Sequence, residues 1–283
     1  MIVCSLISIL TTIGILFALL EETIAFFGDV GIVDFFTGSE WSPLFADPEF
    51  GVLPLVWGTL LITAIALIVA IPLGLGAAVY LSEYARPRVR KTVKPILEVL
   101  AGIPTIVFGY FALAFFTPEI LQGIFGQDRV QIFNALSAGI IMGFMVLPTI
   151  ASLAEDAMTA VPQSLREGAF GLGASKLQVS LRVVFPAALS GIVAAIVLGI
   201  SRAIGETMIV LVAAGQMPNT ALSTEEPHAT MTAFIAGTAK GDVPTGSIGY
   251  ETIFAVGATL FFLTLAMNAI AIRFVRRYRQ VYE

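Results

Sequence analysis

The chain has 283 residues, of which 57% are hydrophobic and only 12% charged, with a net charge of −5. Half the usual charge cannot cover a soluble surface, so the composition excludes a soluble enzyme, a disordered chain and a nucleic-acid binder, and points to lipid. One cysteine (Cys4) and one histidine (His228) leave no intrachain disulfide and no His/Cys metal cluster, and no phosphate loop or GxGxxG fingerprint occurs, so any ATP must sit on another chain.

Six stretches are long and apolar enough to cross a bilayer, at about 2–20, 53–82, 94–116, 131–154, 186–214 and 250–275. Each is expected to be helical, because lipid offers the backbone no hydrogen-bond partner. The fold class is therefore all-α, a polytopic membrane protein. The first stretch (residues 1–23) lacks a positive n-region and a small-residue cleavage site, which favours a retained helix over a cleaved signal peptide. Residues 24–52 form a loop. With Glu21 and Glu22 just before it, the stretch 21–52 holds seven acids and no Lys or Arg; Trp41 and many Phe suggest a packed segment. Pro72, Pro104 and Pro148 should bend or interrupt their helices. Thr105 follows Pro104, between Gly102 and Gly109, which allow close helix approach. Close packing is the simpler reading of Thr105, with substrate contact as its alternative; Tyr110 suits an interface or a cavity. Glu155 and Asp156 mark the inner end of the fourth span. In the loop 215–249, a short helix over 229–239 is expected at the membrane edge, and His228 reads as exposed.

Charge fixes the sidedness. Arg86, Arg88, Arg90, Lys91 and Lys94 flank the second span; Arg166, Lys176 and Arg182 lie in 155–185; Arg273, Arg276, Arg277 and Arg279 lie at the C-terminus. The alternate loops hold only Arg129 and Lys240. The positive-inside rule places both termini, including the tail 276–283, in the cytoplasm.

The loop 155–185 is more than a tether. Ser164 and Glu167 stand in capping-box spacing, with Leu165, Ala169 and Leu172 on one helix face. Gly171 and Gly173 end that helix, and a second begins near Ala174 or Ser175. Such a pair could dock on a partner or rest on the bilayer. From Glu167 the sequence reads E-G-A-x-x-x-G, then nine residues, then V-x-F-P ending at Pro186. This resembles the EAA loop of ABC-importer permeases, with Glu167, Ala169, Gly173 and Pro186 in register and Gly168 replacing an alanine. FGVLPLVWGTL (50–60), LSEYA (81–85), ILEVLAGIPTIVFGYFAL (96–113) and SRAIGETM (201–208), with Trp41 and Pro43, look like the PstC-type subunits of phosphate-specific importers. The resemblance runs from about residue 24 to 273. It implies a type I ABC-importer permease fold with a core over 53–275. It implies a PstA-type second permease, a dimer of ATPase subunits carrying ATP and Mg, and an extracytoplasmic phosphate-binding protein as partners, in a cytoplasmic (inner) membrane. It also implies that Glu167, Gly168, Ala169, Gly173 and Pro186 couple to the ATPase.

Arg202 falls near the middle of the fifth span, where a charge costs at least about 2.5–3.5 kcal/mol. It must face a partner or a water-filled cavity. Glu206, at i+4 on an unbroken helix, would share its face. The pair could lock two helices together, or Arg202 could meet an oxyanion with Glu206 competing for it. The resemblance favours the second reading, so Arg202, Glu206 and Thr105 are candidates for the substrate path. No catalytic residues and no metal or cofactor in this chain are expected. A permease for sulfate or molybdate is the nearest alternative function. An enzyme acting on phosphorylated lipid would need a cluster that one histidine does not supply.

Overall fold

A computed structural model describes the backbone of residues 2–278 and the side chains of residues 3–273. Among the described residues the chain is helical, with a single antiparallel bridge between Trp41 and Phe50. Helix α1 covers Ile2–Asp29 and α2 Ile32–Thr37. Helix α3 covers Leu53–Tyr84, its last turn, Tyr80–Tyr84, being π-helical. Helix α4 is Pro87–Ala101, and α5 is Thr105–Phe125, π-helical over Ala112–Leu121. Helix α6 is Ala135–Thr159, α7 Gln163–Gly171, α8 Lys176–Ala187 (π-helical over Ser180–Val184) and α9 Leu189–Ile204. After a break follow the π-helical α10 (Val210–Ala214), α11 (Met231–Lys240) and α12 (Ile248–Tyr278).

Helices α1, α3, α5, α6 and α12 are each long and apolar enough to cross a membrane. Helices α8 and α9 meet at a 71° bend and together pass the same test, which makes five spans, or six where the bent pair is one. The expected all-α polytopic architecture is therefore present, with several boundaries moved. Helix α1 continues beyond residue 23 to Asp29, into the expected loop. The third span is not 94–116: the chain breaks at Gly102–Pro104, and the span is Thr105–Phe125. Proline has no N–H to continue the helix and pushes the preceding residue out of the α region. Pro104 accordingly stands as the N-cap of α5, with ψ 130°. The residues before it form α4, which buries none of its side chains. Pro72 and Pro148 lie inside α3 and α6 without interrupting them. Packed neighbours in a membrane bundle can compensate the missing bond. The fourth span starts at Ala135 rather than 131, because the Asn134 side chain caps it, accepting the Ser137 N–H at 2.7 Å. Helix α12 runs on through residue 278, so the expected tail begins inside it. The Arg276 and Arg277 side chains and Arg279 lie outside the described residues.

Helices α3 and α6 form the centre of the bundle. A Cβ at Gly139 would come within 2.7 Å of Ile65 Cβ, and one at Gly143 within 2.8 Å of Val69 Cβ. These glycines let the two helices approach closely, which is how membrane helices gain dispersion contact without a hydrophobic driving force. Gly199 similarly brings α9 onto Ile150. The core residues Ile62, Ala66, Met142, Met145, Ile150 and Ile209 fill this middle layer. At the acidic end, Phe26, Phe35, Trp41 and Phe50 stack edge to face, and Trp41 meets Phe234 of α11 with ring centroids 4.9 Å apart. The segment 24–52 is thus packed, and α11 occupies the place expected of a short helix. At the basic end, Ala78, Met158, Val179, Val184 and Ile192 make a third cluster. Helix α1 stays outside, presenting Leu6, Leu10, Ile13 and Phe17 to the surroundings, as a lipid-facing helix does.

Candidate functional site

Two places collect the functional residues. The first is the break between α9 and α10. Helix α9 ends at Ile204, with Gly205 as its C-cap, and the chain resumes helical geometry after Thr207. Arg202 therefore stands in the last turn of α9 and not in mid-helix. Its side chain is exposed, and its Nε lies 3.2 Å from the Met145 sulfur, a weak acceptor. Glu206 is beyond the break, so the expected shared face with Arg202 does not exist. Its buried carboxylate turns the other way: Oε1 accepts the N–H groups of Met208 at 3.0 Å and Ile209 at 3.2 Å. Glu206 thus satisfies the open donors of the next helical segment, the usual task of an acidic N-cap. Thr232 of α11 closes the corner by donating to the Glu206 carbonyl at 2.6 Å. The ion pairs among the described residues lie elsewhere, at the basic end.

Gly109 presses α5 onto this break. A Cβ there would stand 3.1 Å from the Met208 carbonyl and from Ile209 Cα. Thr105 lies one turn earlier and is half-buried, on the face that meets α10. Close approach at Gly109 matches expectation, whereas Gly102 only terminates α4. Tyr110 is exposed. The structure brings Arg202 and Glu206 to one discontinuity, with Thr105 one turn from the Gly109 contact, and among the described residues the exposed Arg202 has no acidic partner. A guanidinium in that position can take oxyanion oxygens on its planar fork.

The second place is the basic-end loop. Helix α7 begins with Pro162 as N-cap and no side-chain cap, so the expected Ser164 box is not made. The helix starts two residues earlier than Ser164 would require, which puts Ser164 inside its first turn. The second short helix behaves as expected: Ser175 and Gln178 form a reciprocal capping box. Between them Gly173 has φ +81°, a conformation that favours glycine. Leu165 and Ala169 pack inward, while Leu172, expected on their face, is 92% exposed because α7 has ended before it. Glu167, Gly168 and Phe170 face outward, and Pro186 is exposed in the last turn of α8. Glu167 therefore does not brace the loop.

Arg166 does. It is 11% exposed at the side chain and donates to Glu83 Oε1 at 2.9 Å, to the Met158 carbonyl at 2.8 Å and to the Val161 carbonyl at 2.5 Å. A cation here also suits the carbonyl-rich C-terminus of α6. Beside it, the fully buried Glu155 carboxylate receives Arg90, Lys94 at 2.8 Å and the Thr159 hydroxyl at 3.0 Å. Lys94 also bonds Asp156. Desolvation lowers the Lys94 pKa, but the hydrogen bonds and negative charge of Asp156 and Glu155 outweigh it, so the ammonium is held above its ordinary 10.5. Glu155 stands one turn before the end of α6, at the span's end as expected, and is also a buried hub. Arg90 and Lys94 stand at i, i+4 opposite an acid near the end of α6, a pattern that could have disclosed it. His228, expected to be exposed, is fully buried. Its Nε2 lies 2.7 Å from the Ser223 carbonyl and so carries the proton, while its backbone N–H donates to Ala214.

Residues 70–280 match the family described as binding-protein-dependent transport system inner membrane component. The chain is 34% identical to the "Probable ABC transporter permease protein YqgH" of Bacillus subtilis, over 98% of this chain and 89% of that one. It is 33% identical to the phosphate transport system permease protein PstC of Mesorhizobium japonicum, over 84% of this chain and 76% of that one. Identity to PstC 1 of Mycobacterium tuberculosis is 34%, over 86% and 81%. Among solved structures, the fold resembles a chain of the inward-facing MetNI methionine ABC transporter (TM-score 0.63, 20% identity, 81% of this chain and 96% of that one). It also resembles a chain of a bacterial ABC transporter that imports alginate (TM-score 0.61, 17% identity, 97% and 99%).

Proposed function

Because the chain belongs to the binding-protein-dependent transport system inner membrane component family, we propose that it is a permease subunit that moves inorganic phosphate through an ATP-driven importer. The observation that carries this reading is Arg202: an exposed guanidinium at the helix break that follows α9, in a chain similar to phosphate permeases along most of its length. Phosphate entering from the acidic end meets the fork of Arg202. Glu206 is committed to capping, so it shapes the break without neutralising the cation. An anion held by one exposed arginine and not by a closed cage can also leave. Thr105 stands one turn from Gly109, which meets the same discontinuity.

A single bundle leaves the Arg202 face open, which fits one half of a pore completed by a second, PstA-type permease. A phosphate-binding protein delivers the anion at the acidic, extracytoplasmic end. The outward Glu167, Gly168, Phe170 and Leu172, with the Gly173 turn, form the surface on which one of two ATPase subunits docks; ATP and Mg reside there. Both termini then face the cytoplasm, because arginine and lysine crowd the end that carries the docking loop.

The test is uptake of labelled phosphate by vesicles holding the assembled complex, with sulfate and molybdate as competitors. ATP-dependent uptake that unlabelled phosphate alone displaces is expected. Equal displacement by sulfate or molybdate would transfer the same architecture to another oxyanion.

A further inference from the structure

The π-helical turn that ends α3 holds two adjacent residues, and each grips a different helix of the docking loop. Glu83 receives Arg166 of α7, with Nη2 at 2.9 Å and Nε at 3.3 Å from Oε1. Tyr84 lies under Lys176 of α8, with the ammonium 5.0 Å from the ring centroid. Resting on the structure's reading as an ATP-driven importer subunit, we propose that Glu83 and Tyr84 are positioning residues that clamp both docking helices to α3, so that displacement of the loop by the ATPase moves that span.

The Arg166 guanidinium is nearly out of water, with side-chain exposures of 11% for it and 7% for Glu83. A buried pair of this kind resists separation more strongly than a surface pair, because parting it strands a charge. Arg166 spends its remaining donors on the Met158 and Val161 carbonyls, so α6 joins the same body. The Gly173 turn between α7 and α8 has open space around it and could flex. The clamp removes that freedom by fixing each helix separately. Helix α3 in turn lies on α6 through Gly139 and Gly143, and α6 supplies Met145, the contact of Arg202. The path from docking loop to substrate break is thus a run of packed elements.

The experiment uses the whole reconstituted complex with wild type, Arg166→Gln, Glu83→Gln, their double variant and Lys176→Met. Three quantities are read: ATPase retained on purification, phosphate moved per ATP hydrolysed, and backbone hydrogen exchange over 163–179. Expected is normal ATPase retention, a fall in phosphate moved per ATP of about tenfold in Arg166→Gln and Glu83→Gln, and faster exchange in both short helices, the size being ordinary for coupling between sites. The double variant should be no worse than either single, since one link is broken in each. Lys176→Met should loosen α8 alone. Unchanged transport per ATP, with or without faster exchange, would overturn the clamp, as would a loss that merely tracks the amount of complex assembled. If the wild-type complex moved no phosphate, the proposed substrate would fall instead. Exchange over 163–179 would still judge the clamp, and unaltered exchange in Glu83→Gln would reject it.

Discussion

Arg202 and Glu206 sit four residues apart, yet they serve different tasks. Glu206→Gln keeps an oxygen that can accept the Met208 and Ile209 N–H groups, so it should fold and retain most transport. Glu206→Leu removes the acceptor and should cost about 1 kcal/mol, the usual loss of an N-cap, with disturbed packing at the break. Arg202→Met should assemble normally but lose phosphate uptake, since among the described residues no carboxylate pairs with it. Uptake per assembled complex, set against melting in detergent, separates these outcomes. A poorly assembling Arg202→Met would make the arginine a structural residue. The Lys94 contact has its own signature. Its raised pKa means its stabilisation is complete below 10.5 and is lost as pH rises past that value toward the higher folded one. Melting temperature should hold through neutral pH and drop at the alkaline end, and Lys94→Met should flatten that drop. The residue types at the break were legible in the sequence, because an arginine amid an apolar run has few innocent explanations. Their geometry was not: i+4 implies a shared face only while the helix continues, and Gly205 ends it.

At the scale of elements, the docking loop tests how much a turn contributes. Gly173→Val places a β-branched residue at φ +81°. The space around it is open, so only backbone strain opposes the change, of order 1–3 kcal/mol. The protein should still insert, but α7 and α8 should lose their relative angle, and ATPase co-purification should weaken. Normal association would show that the two helices dock independently. The second short helix was legible because Ser175 and Gln178 stand at capping-box spacing and nothing competes with them. Ser164 and Glu167 share that spacing, but Pro162 already occupies the start of α7. Hydropathy misplaced the third span for a similar reason: Ile96, Leu97, Val99 and Leu100 are apolar, yet Pro104 divides them from the helix that crosses. Helix α4 must then be explained by charge, through Arg90 and Lys94 on Glu155.

For the whole molecule, charge asymmetry predicts the orientation. In a Cys4→Ser background, single cysteines at Asp34 and Lys240 should react with an impermeant reagent from outside, and cysteines at Arg88 and Arg182 only after the membrane is opened. All four positions are exposed, so reactivity reports side rather than burial. External labelling at Arg88 would reverse the topology and remove the docking role of α7 and α8. The apolar crossing helices and the packed segment 24–52 were readable from composition, since lipid leaves few alternatives to a helix and aromatic residues rarely stay loose in an acidic loop. The burial of His228 was not, because it arises from α3 at Gly58, Ala214 of α10 and the loop at Ser223 folding together.

The π-helical turns in α3, α5, α8 and α10 give the bundle a further property. Each such turn holds a residue more than an α turn would, bonded i to i+5. Relaxing one to α geometry would push that surplus along the chain and, in α5 and α8, where helix continues past it, swing the side chains beyond by about 100° with no helix melted. In α3 the surplus lies under Glu83 and Tyr84; in α10 it lies just past Glu206. A gate built this way would open by screw rotation, in increments of a single residue, and its two settings would differ in which side chains line the passage and hardly at all in how far the helices stand apart.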